Sequence, residues 1–315
     1  MARVGLVLGA GGVVGAAFHE GVLRAINDAT GWDPRTADII VGTSAGSYVG
    51  ARLRAGGAVR DAIGERPGGR PGASVDPAGS SRRAPAAMGA LMRGIMRPGS
   101  ARVGAMVAAA LPAGRQSMES MITAVNRLHR RGWPAQPLWL PAVRLRDGVR
   151  VVFGTQGAPV TDVGHAVAAS CAIPAYFTPV TIDGERYVDG GTHSPTNLDL
   201  LADQDLDLVV VVAPMGVARG VYSAAAAAQG RNIFRLRLGR EAAAVRRGGA
   251  RVVAFSPTAA DLEVMGWNAM AFGRRPAVVT RARESARRRL DDPRWAEELS
   301  VLHHSAGATR AAGER

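Results

Sequence analysis

A pattern of strand, glycine turn and helix occurs twice near the start of the chain, and it constrains the fold more than any other feature. The segments 3–8 and 38–41 are short and apolar, and each ends at a glycine, as buried strands often do. Helical segments follow them at 15–28 and 46–54. Strands that alternate with helices are typical of a parallel sheet with helices on its faces. The sequence therefore predicts an α/β fold with three layers, in which helices cover a mainly parallel sheet.

The region after the second helix differs in composition from the rest of the chain. Segment 64–85 is rich in Pro, Gly, Ser and Arg, and apolar residues at helical spacing follow it. We therefore expect 55–132 to be a helical, lid-like insertion. Within the insertion, 85–97 carries an apolar stripe beside arginines, which suits either a lid at a lipid interface or a helix packed on the core.

Two hairpins and further strands continue the predicted sheet. Asp147-Gly148 and Asp183-Gly184 each separate two alternating runs, which is a strong hairpin signal. The remaining predicted elements are helices at about 116–130, 162–171, 223–248 and 276–299, and strands at 206–214 and 251–255. We expect a single domain over 1–304 and a disordered tail at 305–315.

The segment Gly42-Thr43-Ser44-Ala45-Gly46 is the sharpest chemical signal in the chain. It fits G-x-S-x-G between a strand and a helix, which is the context of a nucleophile elbow. Gly42 and Gly46 lack side chains, so the strand and the helix can pass close together. Ser44 lies at the start of a helix, where the helix dipole favours a developing negative charge. We predict that Ser44 is a nucleophile.

A serine hydroxyl needs a base to become a good nucleophile. The chain has six histidines, at 19, 129, 165, 193, 303 and 304. His193 lies very close in sequence to the acid that would precede it, and the last two lie near the chain end. A carboxylate is therefore the better candidate. Asp189 ends an alternating strand and is followed by Gly190 and Gly191, which would let substrate or backbone come near its carboxylate.

The glycine-rich loop after the first strand could bind a dinucleotide phosphate or stabilise an oxyanion. A dinucleotide loop of the form G-x-G-x-x-G would need glycine where Val14 stands, and no acid ends a clear second strand at the expected distance. As an oxyanion loop, Gly11, Gly12 and Val13 could direct backbone N–H groups at one point, at a helix N-terminus. The oxyanion role fits the sequence better.

Three motifs in this order, "GAGGVVG", "GTSAG" and "DGG", resemble those of the patatin-like phospholipase family. The segment "ASCAIPAYFTPV" at 169–180 is similar to the approach to the aspartate in that family. The resemblance spans 9–191 and implies a three-layer α/β/α patatin-like fold. Two departures are Ala10 and Val14, which replace a glycine and a basic residue of the family's loop. The oxyanion donors are backbone groups, so these replacements leave that role intact.

The resemblance implies a serine–aspartate dyad without histidine. Ser44 would attack an ester carbonyl, Asp189 would accept its proton, and the glycine loop would hold the oxyanion. The implied activity is that of a carboxylic ester hydrolase that cleaves the ester bond of a phospholipid, lysophospholipid or related lipid, without metal or organic cofactor. Thioesters and short soluble esters are alternative acyl donors. The rival hypotheses are a lipid-binding protein that has lost activity, favoured by the missing basic residue, and a dinucleotide-binding oxidoreductase.

Charge and cysteine content bear on partners and compartment. The net charge is +13, but all 39 basic residues are arginines, which are scattered without interleaved aromatic residues. We therefore expect no nucleic-acid partner, while contact with an anionic membrane surface fits the charge.

A single cysteine, Cys171, fits a reducing compartment, and we expect it to be a buried helix residue. His19 is expected to be packed rather than catalytic. We see no signal peptide and no membrane span, so a cytoplasmic protein, peripheral at the inner membrane surface, is expected; the oligomeric state is left open.

Overall fold

The computed structural model describes residues 2–57, 114–221 and 230–303. The strands are β1 (Val4–Leu8), β2 (Ile39–Gly42), β3 (Leu138–Arg144), β4 (Arg150–Phe153), β5 (Val180–Ile182), β6 (Glu185–Asp189), β7 (Leu208–Val212) and β8 (Arg251–Phe255). The helices are α1 (Gly12–Thr30), α2 (Ala45–Arg54), α3 (Glu119–Leu128), α4 (Val163–Cys171), α5 (Arg231–Arg247), α6 (Ala259–Met265) and α7 (Arg275–Leu290). Short 3₁₀ turns connect several of these elements.

The eight strands form one sheet, in the order β5-β6-β3-β2-β1-β7-β8, with β4 also paired to β3. The pairs formed by β1, β2, β7, β8 and the start of β3 are parallel. The pairs that β3 forms with β4 and β6, and the β5–β6 pair, are antiparallel. The prediction of a mainly parallel sheet is confirmed, with the two predicted hairpins supplying the antiparallel part.

Side chains that alternate along the central strands divide the interior into two cores. Leu6 and Leu8 face a core shared with α1, α2, α4, α6 and α7, while Val7 faces a second core shared with α5. Strand β7 alternates in the same way between the two cores. Because successive strand residues point to opposite faces, apolar residues on both faces require helices on both sides. The predicted three-layer arrangement is thereby confirmed.

Most predicted elements occur close to their expected positions, and the last long helix is the main correction. The segment 276–299 is not one helix, because α7 ends at Leu290 and a 3₁₀ turn follows at Pro293–Trp295. Proline cannot continue a helix interior, since it lacks an N–H group and its ring clashes with the preceding turn. Residues 296–303 are helical again.

Much of the predicted insertion, including the stripe at 85–97, lies outside the described residues, as does the tail from 304. Helix α3 is the described helical part of the insertion, and it packs against α4. None of the helices in the described ranges combines the length and apolarity that crossing a bilayer requires.

Candidate active site

The carboxyl ends of three strands bring the predicted motifs together. Strands β1 and β2 are parallel neighbours, and the Thr43 N–H after β2 donates to the Leu8 carbonyl at the end of β1, at 2.9 Å. Strand β3 pairs Trp139 with β2 and pairs Ala142 with Asp189, the last residue of β6. The ends of β2 and β6 therefore meet along the same short stretch of β3, which places the serine motif beside the aspartate.

Ser44 occupies a sharp turn between β2 and α2. Its backbone has φ 54° and ψ −120°, a conformation that favours glycine and is strained for serine. A Cβ at Gly46 would overlap the Leu8 carbonyl, and one at Gly42 would lie 2.6 Å from the Gly46 carbonyl oxygen. The two motif glycines therefore allow the close passage that the sequence predicted. Ser44 is also the N-cap residue of α2, at the positive end of the helix dipole.

Polar groups of α4 hold the backbone of the turn. The Ser44 N–H donates to Ser170 Oγ at 3.1 Å, and the Ser170 hydroxyl donates to the Pro141 carbonyl at 2.8 Å. The Cys171 thiol donates to the Ser44 carbonyl at 3.1 Å. Burial, and then the negative charge of Asp189, raise the pKa of Cys171 to about 12. Cys171 is therefore a buried helix residue, as expected, and is a thiol rather than a reactive thiolate at neutral pH.

Asp189 shares a side-chain hydrogen bond with Ser44, and both side chains are almost completely buried. The residues are 5% and 4% exposed, respectively. Burial raises the pKa of Asp189 to about 6, against the lowering effects of the Ser44 hydrogen bond and of the Gly191 N–H. The Gly191 N–H donates to Asp189 Oδ1 at 2.7 Å. A carboxylate with this pKa is ionised near neutral pH and can also accept a proton readily.

The loop after Asp189 depends on its two glycines. A Cβ at Gly190 would overlap the Pro141 carbonyl of β3, and one at Gly191 would lie 2.9 Å from Asp189 Oδ1. Glycine at position 190 lets the chain pass close to the backbone of β3, and glycine at position 191 lets the chain pass close to the Asp189 carboxylate. The glycines therefore position Asp189 against the sheet.

A buried carboxylate that the sequence reasoning missed holds the next part of this loop. Glu241, on α5, accepts hydrogen bonds from the hydroxyls of Ser194 at 2.5 Å and Thr196 at 2.6 Å, and from the Leu198 N–H at 3.1 Å. Asn197, in the left-handed conformation at φ 50°, donates to Thr43 Oγ1 at 3.1 Å. The hydrogen bonds of Glu241 and Asn197 tie the aspartate loop to α5 on one side and to the serine turn on the other.

The signal for Glu241 was present in the sequence but weak. It is the only acidic residue in the predicted helix 223–248, which otherwise contains apolar, arginine, small and two amide residues. The polar run Ser194, Thr196 and Asn197 directly after the glycines also indicated a hydrogen-bonded loop. Ser170 gave no comparable signal, because it looks like any small residue of a buried helix.

The glycine loop lies at the N-terminus of α1, which begins at Gly12. Among the described residues, no backbone acceptor pairs with the N–H groups of Gly11, Gly12 or Val13. The Val14 N–H, in contrast, donates to the Ala269 carbonyl at 3.0 Å. The three N–H groups predicted as oxyanion donors are thus available, next to the positive end of a helix dipole.

The described histidines all lie in other environments. His19 Nε2 bonds to the Gly9 carbonyl at 2.7 Å and His129 Nε2 to the Ala51 carbonyl at 2.9 Å, while His165 bonds to Asp162. Burial lowers the pKa of His19 to about 4, against the raising effect of the Gly9 hydrogen bond; it is packed, as expected. Burial and the charges of Arg150 and Arg237 also lower the pKa of His193 to about 4. No histidine therefore contributes to the Ser44–Asp189 contact in the described part of the chain.

No group of three or more His, Cys, Asp and Glu side chains is placed to hold a metal ion within the described ranges. A cavity of about 1020 Å³ is bordered by the C-terminal half of α7 and by β8, and its lining includes neither Ser44 nor Asp189.

The chain resembles two solved structures and one protein family. No curated protein matches the sequence. The crystal structure of VipD from Legionella pneumophila is similar at 12% identity and a TM-score of 0.41, with 92% of this chain and 67% of that chain covered. The crystal structure of the type III effector protein ExoU is similar at 16% identity and a TM-score of 0.38, with 92% of this chain and 53% of that chain covered. This chain thus spans about two thirds of VipD and about half of ExoU.

The family comparison is the decisive one. The model of the family described as patatin-like phospholipase matches residues 6–202, which include all three motifs. This match extends over more than half of the chain, so the protein belongs to the patatin-like phospholipase family, and its membership supports a lipid hydrolase function.

Proposed function

We propose that the protein is a serine acyl hydrolase in which Ser44 and Asp189 form a catalytic dyad. The observation that carries the proposal is the side-chain hydrogen bond between these residues, at a strained turn after a parallel strand. The proposed substrate is the acyl ester of a phospholipid, lysophospholipid or related lipid, in keeping with the family. No histidine, metal or organic cofactor enters the proposed reaction.

In the acylation step, Ser44 Oγ attacks the carbonyl carbon of the ester while its proton moves to the Asp189 carboxylate. The tetrahedral intermediate then collapses: its bond to the alcohol oxygen breaks, and the alcohol leaves with the proton from Asp189. The acyl group remains on Ser44 as an ester. Asp189 thus acts first as a base and then as an acid, which a pKa near neutrality favours.

The glycine loop would stabilise the negative charge of the intermediate. The N–H groups of Gly11, Gly12 and Val13 are fixed donors at a helix N-terminus, and they need no rearrangement as charge develops. Removal of one such donor in other hydrolases costs about 10²–10³-fold in rate. Backbone donors do not depend on side-chain identity, so Val14 in place of a basic residue leaves this part of the mechanism intact.

Deacylation would repeat the sequence with water as the nucleophile. Asp189 takes a proton from water, the resulting hydroxide equivalent attacks the acyl-enzyme carbonyl, and the tetrahedral intermediate expels Ser44 Oγ, which recovers its proton from Asp189. The products are the fatty acid and the alcohol, and the dyad returns to its starting state.

The proposal is tested by a lipid-hydrolysis screen combined with covalent labelling. Ser44→Ala should lower hydrolysis by about 10³-fold or more and should abolish labelling by a fluorophosphonate, which reacts with activated serines. Asp189→Asn should cost nearly as much, because an amide cannot accept the serine proton.

Two control variants locate the base. Asp162→Asn changes a carboxylate that caps the far end of α4, and it should retain activity. His193→Ala should cost far less than Asp189→Asn. A His193→Ala protein as inactive as Ser44→Ala would indicate a histidine base. Wild-type protein that neither hydrolyses lipid esters nor takes the label would instead support the inactive lipid-binding alternative.

A further inference from the structure

One exposed loop borders the glycine loop directly. We define it as the border loop, residues 266–274, between α6 and α7. The Ala269 carbonyl accepts the Val14 N–H at 3.0 Å, and a Cβ at Gly12 would lie 2.8 Å from the same carbonyl oxygen. The border loop therefore touches the N-terminus of α1 at the point where the proposed oxyanion donors lie.

Close packing of two helices fixes this position. Helix α7 starts at the end of the border loop and runs along α1. A Cβ at Gly21 would lie 2.5 Å from the Val279 carbonyl oxygen, so the two helix backbones almost touch. Further along, Arg283 forms an ion pair with Asp28 at 2.7 Å. The packing of α1 against α7 therefore holds the border loop in a fixed position.

The border loop presents large apolar side chains to solvent. Trp267 is 68% exposed, whereas the other four tryptophans of the chain are buried or half-buried. Phe272, in the same loop, is 36% exposed. Two exposed aromatic residues within one short loop beside a candidate lipid site differ from the isolated apolar residues found on most surfaces. Tryptophan in particular favours the boundary between water and lipid, where its ring is partly apolar and partly polar.

The charge around the border loop suits an anionic partner. Of the four arginines between Glu263 and Glu284, Arg281 and Arg283 form ion pairs with Glu284 and Asp28. The border loop itself contains one basic residue, Arg274, and no acidic residue. Arg274 closes the loop, and its hydrogen bond at 2.9 Å goes to the Val264 carbonyl, which is a neutral acceptor. Basic residues beside exposed aromatic residues bind anionic bilayers by combining apolar burial with attraction to the head groups.

From the contacts, exposure and charge together, we propose that the border loop is the surface by which the protein docks on an anionic phospholipid bilayer. Trp267 and Phe272 would enter the interface, and the glycine loop would then lie next to the lipid acyl esters. The role of docking in catalysis rests on the proposed function. Docking itself can be measured without any hydrolysis.

Vesicle sedimentation provides the first test, with phosphatidylcholine vesicles prepared with and without phosphatidylglycerol. Wild-type protein should bind the anionic vesicles, and Trp267→Asp should lower the partition coefficient by about tenfold, since it removes apolar burial and adds a repelled charge. The matched control is Leu236→Asp, which places the same charge at a residue that is 55% exposed on α5, in the layer on the other face of the sheet. Leu236→Asp should bind as the wild type does.

Quenching of tryptophan fluorescence by brominated lipids provides the second test. Wild-type fluorescence should be quenched on binding, and the Trp267→Phe protein should lose most of the quenchable signal while it still sediments with vesicles. Equal quenching of wild type and Trp267→Phe, or equal binding of Trp267→Asp and Leu236→Asp, would overturn the proposal. A wild-type protein that ignores anionic vesicles would also overturn it and would point to a protein partner. Thermal unfolding of each variant verifies that it is folded.

Neither measurement depends on hydrolysis, so the failure of one proposal is distinguishable from the failure of the other. Ser44→Ala protein should dock as wild type does, even though it cannot turn over. Loss of docking in Trp267→Asp together with absent esterase activity in the wild type would retain the docking surface and reject the catalytic proposal.

Discussion

The pKa of Asp189 makes a quantitative prediction about how activity varies with pH. If Asp189 is the base, it must be ionised in the free enzyme, and kcat/KM reports the ionisation of free-enzyme groups. Burial raises the pKa of this carboxyl to about 6. We therefore expect kcat/KM to rise with pH to a plateau, with a midpoint near about 6 and a tenfold fall for each pH unit below it.

The size of the effect separates this mechanism from one that uses an ordinary carboxylate. With a pKa of about 6, roughly one tenth of Asp189 is ionised at about pH 5, so kcat/KM should fall about tenfold there. A carboxyl at the unperturbed value of 3.8 would still be mostly ionised at that pH, and the rate would scarcely change. The assay is the initial rate on a short soluble ester, with the released alcohol measured by chromatography so that detection does not depend on pH.

Two controls test whether the fall of kcat/KM at low pH comes from protonation of a carboxylate or of an imidazole. His19 and His193 have pKa values lowered to about 4, so neither accounts for a midpoint near 6. His193→Ala should leave the midpoint in place. The midpoint should also move little with temperature, because carboxyl ionisation has a small enthalpy and imidazole ionisation has a larger one. A midpoint well below 5, or one that shifts in His193→Ala, would refute the assignment of Asp189 as the buried base.

Three further predictions concern stability. The folded-state pKa of Asp189 is raised from 3.8 to about 6, so the free energy of unfolding falls as pH rises between these values. Asp189→Asn removes this cost. It should stabilise the protein at neutral pH by up to about 3 kcal/mol, measured by denaturant unfolding. Gly46→Ala should prevent folding because its Cβ would overlap the Leu8 carbonyl. Gly239→Ala lies within α5, where a Cβ would meet no other atom, and it should raise stability by about 1 kcal/mol. Circular dichroism distinguishes the two outcomes. Glu241→Ala leaves three buried donors unpaired, so it should lower the free energy of unfolding by about 2–4 kcal/mol and also lower kcat. Glu241→Gln should rescue both in part. Full activity with unchanged stability in Glu241→Ala would exclude a positioning role for Glu241.

The fold was predictable from the sequence where local chemistry and tertiary packing demand the same conformation. Gly148, with φ 69°, and the Asp183-Gly184 turn, with φ 50° and 71°, adopt conformations that these residue types favour, so both hairpins were recognised. Helix α4 also begins close to its predicted position, at a point where the Asp162 side chain accepts the His165 N–H. The long C-terminal helix was predicted incorrectly because its arginine-rich composition concealed the break at Pro293.

The sequence indicated the chemical groups of the candidate site but not the residues that hold those groups in place. Ser44, Asp189 and the glycine loop are marked by motifs whose glycines are required by close backbone contacts. Glu241 and Ser170 act through hydrogen bonds between residues far apart in sequence, and a single sequence contains no record of such pairings. A supporting residue of this kind can be recognised only after the fold brings its partners together.

The geometry also indicates why a serine and an aspartate alone could suffice for the proposed reaction. In a triad the acid orients a mobile imidazole and stabilises its charged form. Asp189 instead ends a strand, and its carboxylate is held by the adjacent Gly191 N–H, so it needs no third residue to orient it. Burial raises the pKa of Asp189 to about 6, close to the ordinary pKa of the imidazole that serves as base in a triad. In the proposed dyad, the end of β6 and the Gly191 N–H would thus hold the base in place, as the acid of a triad holds its histidine.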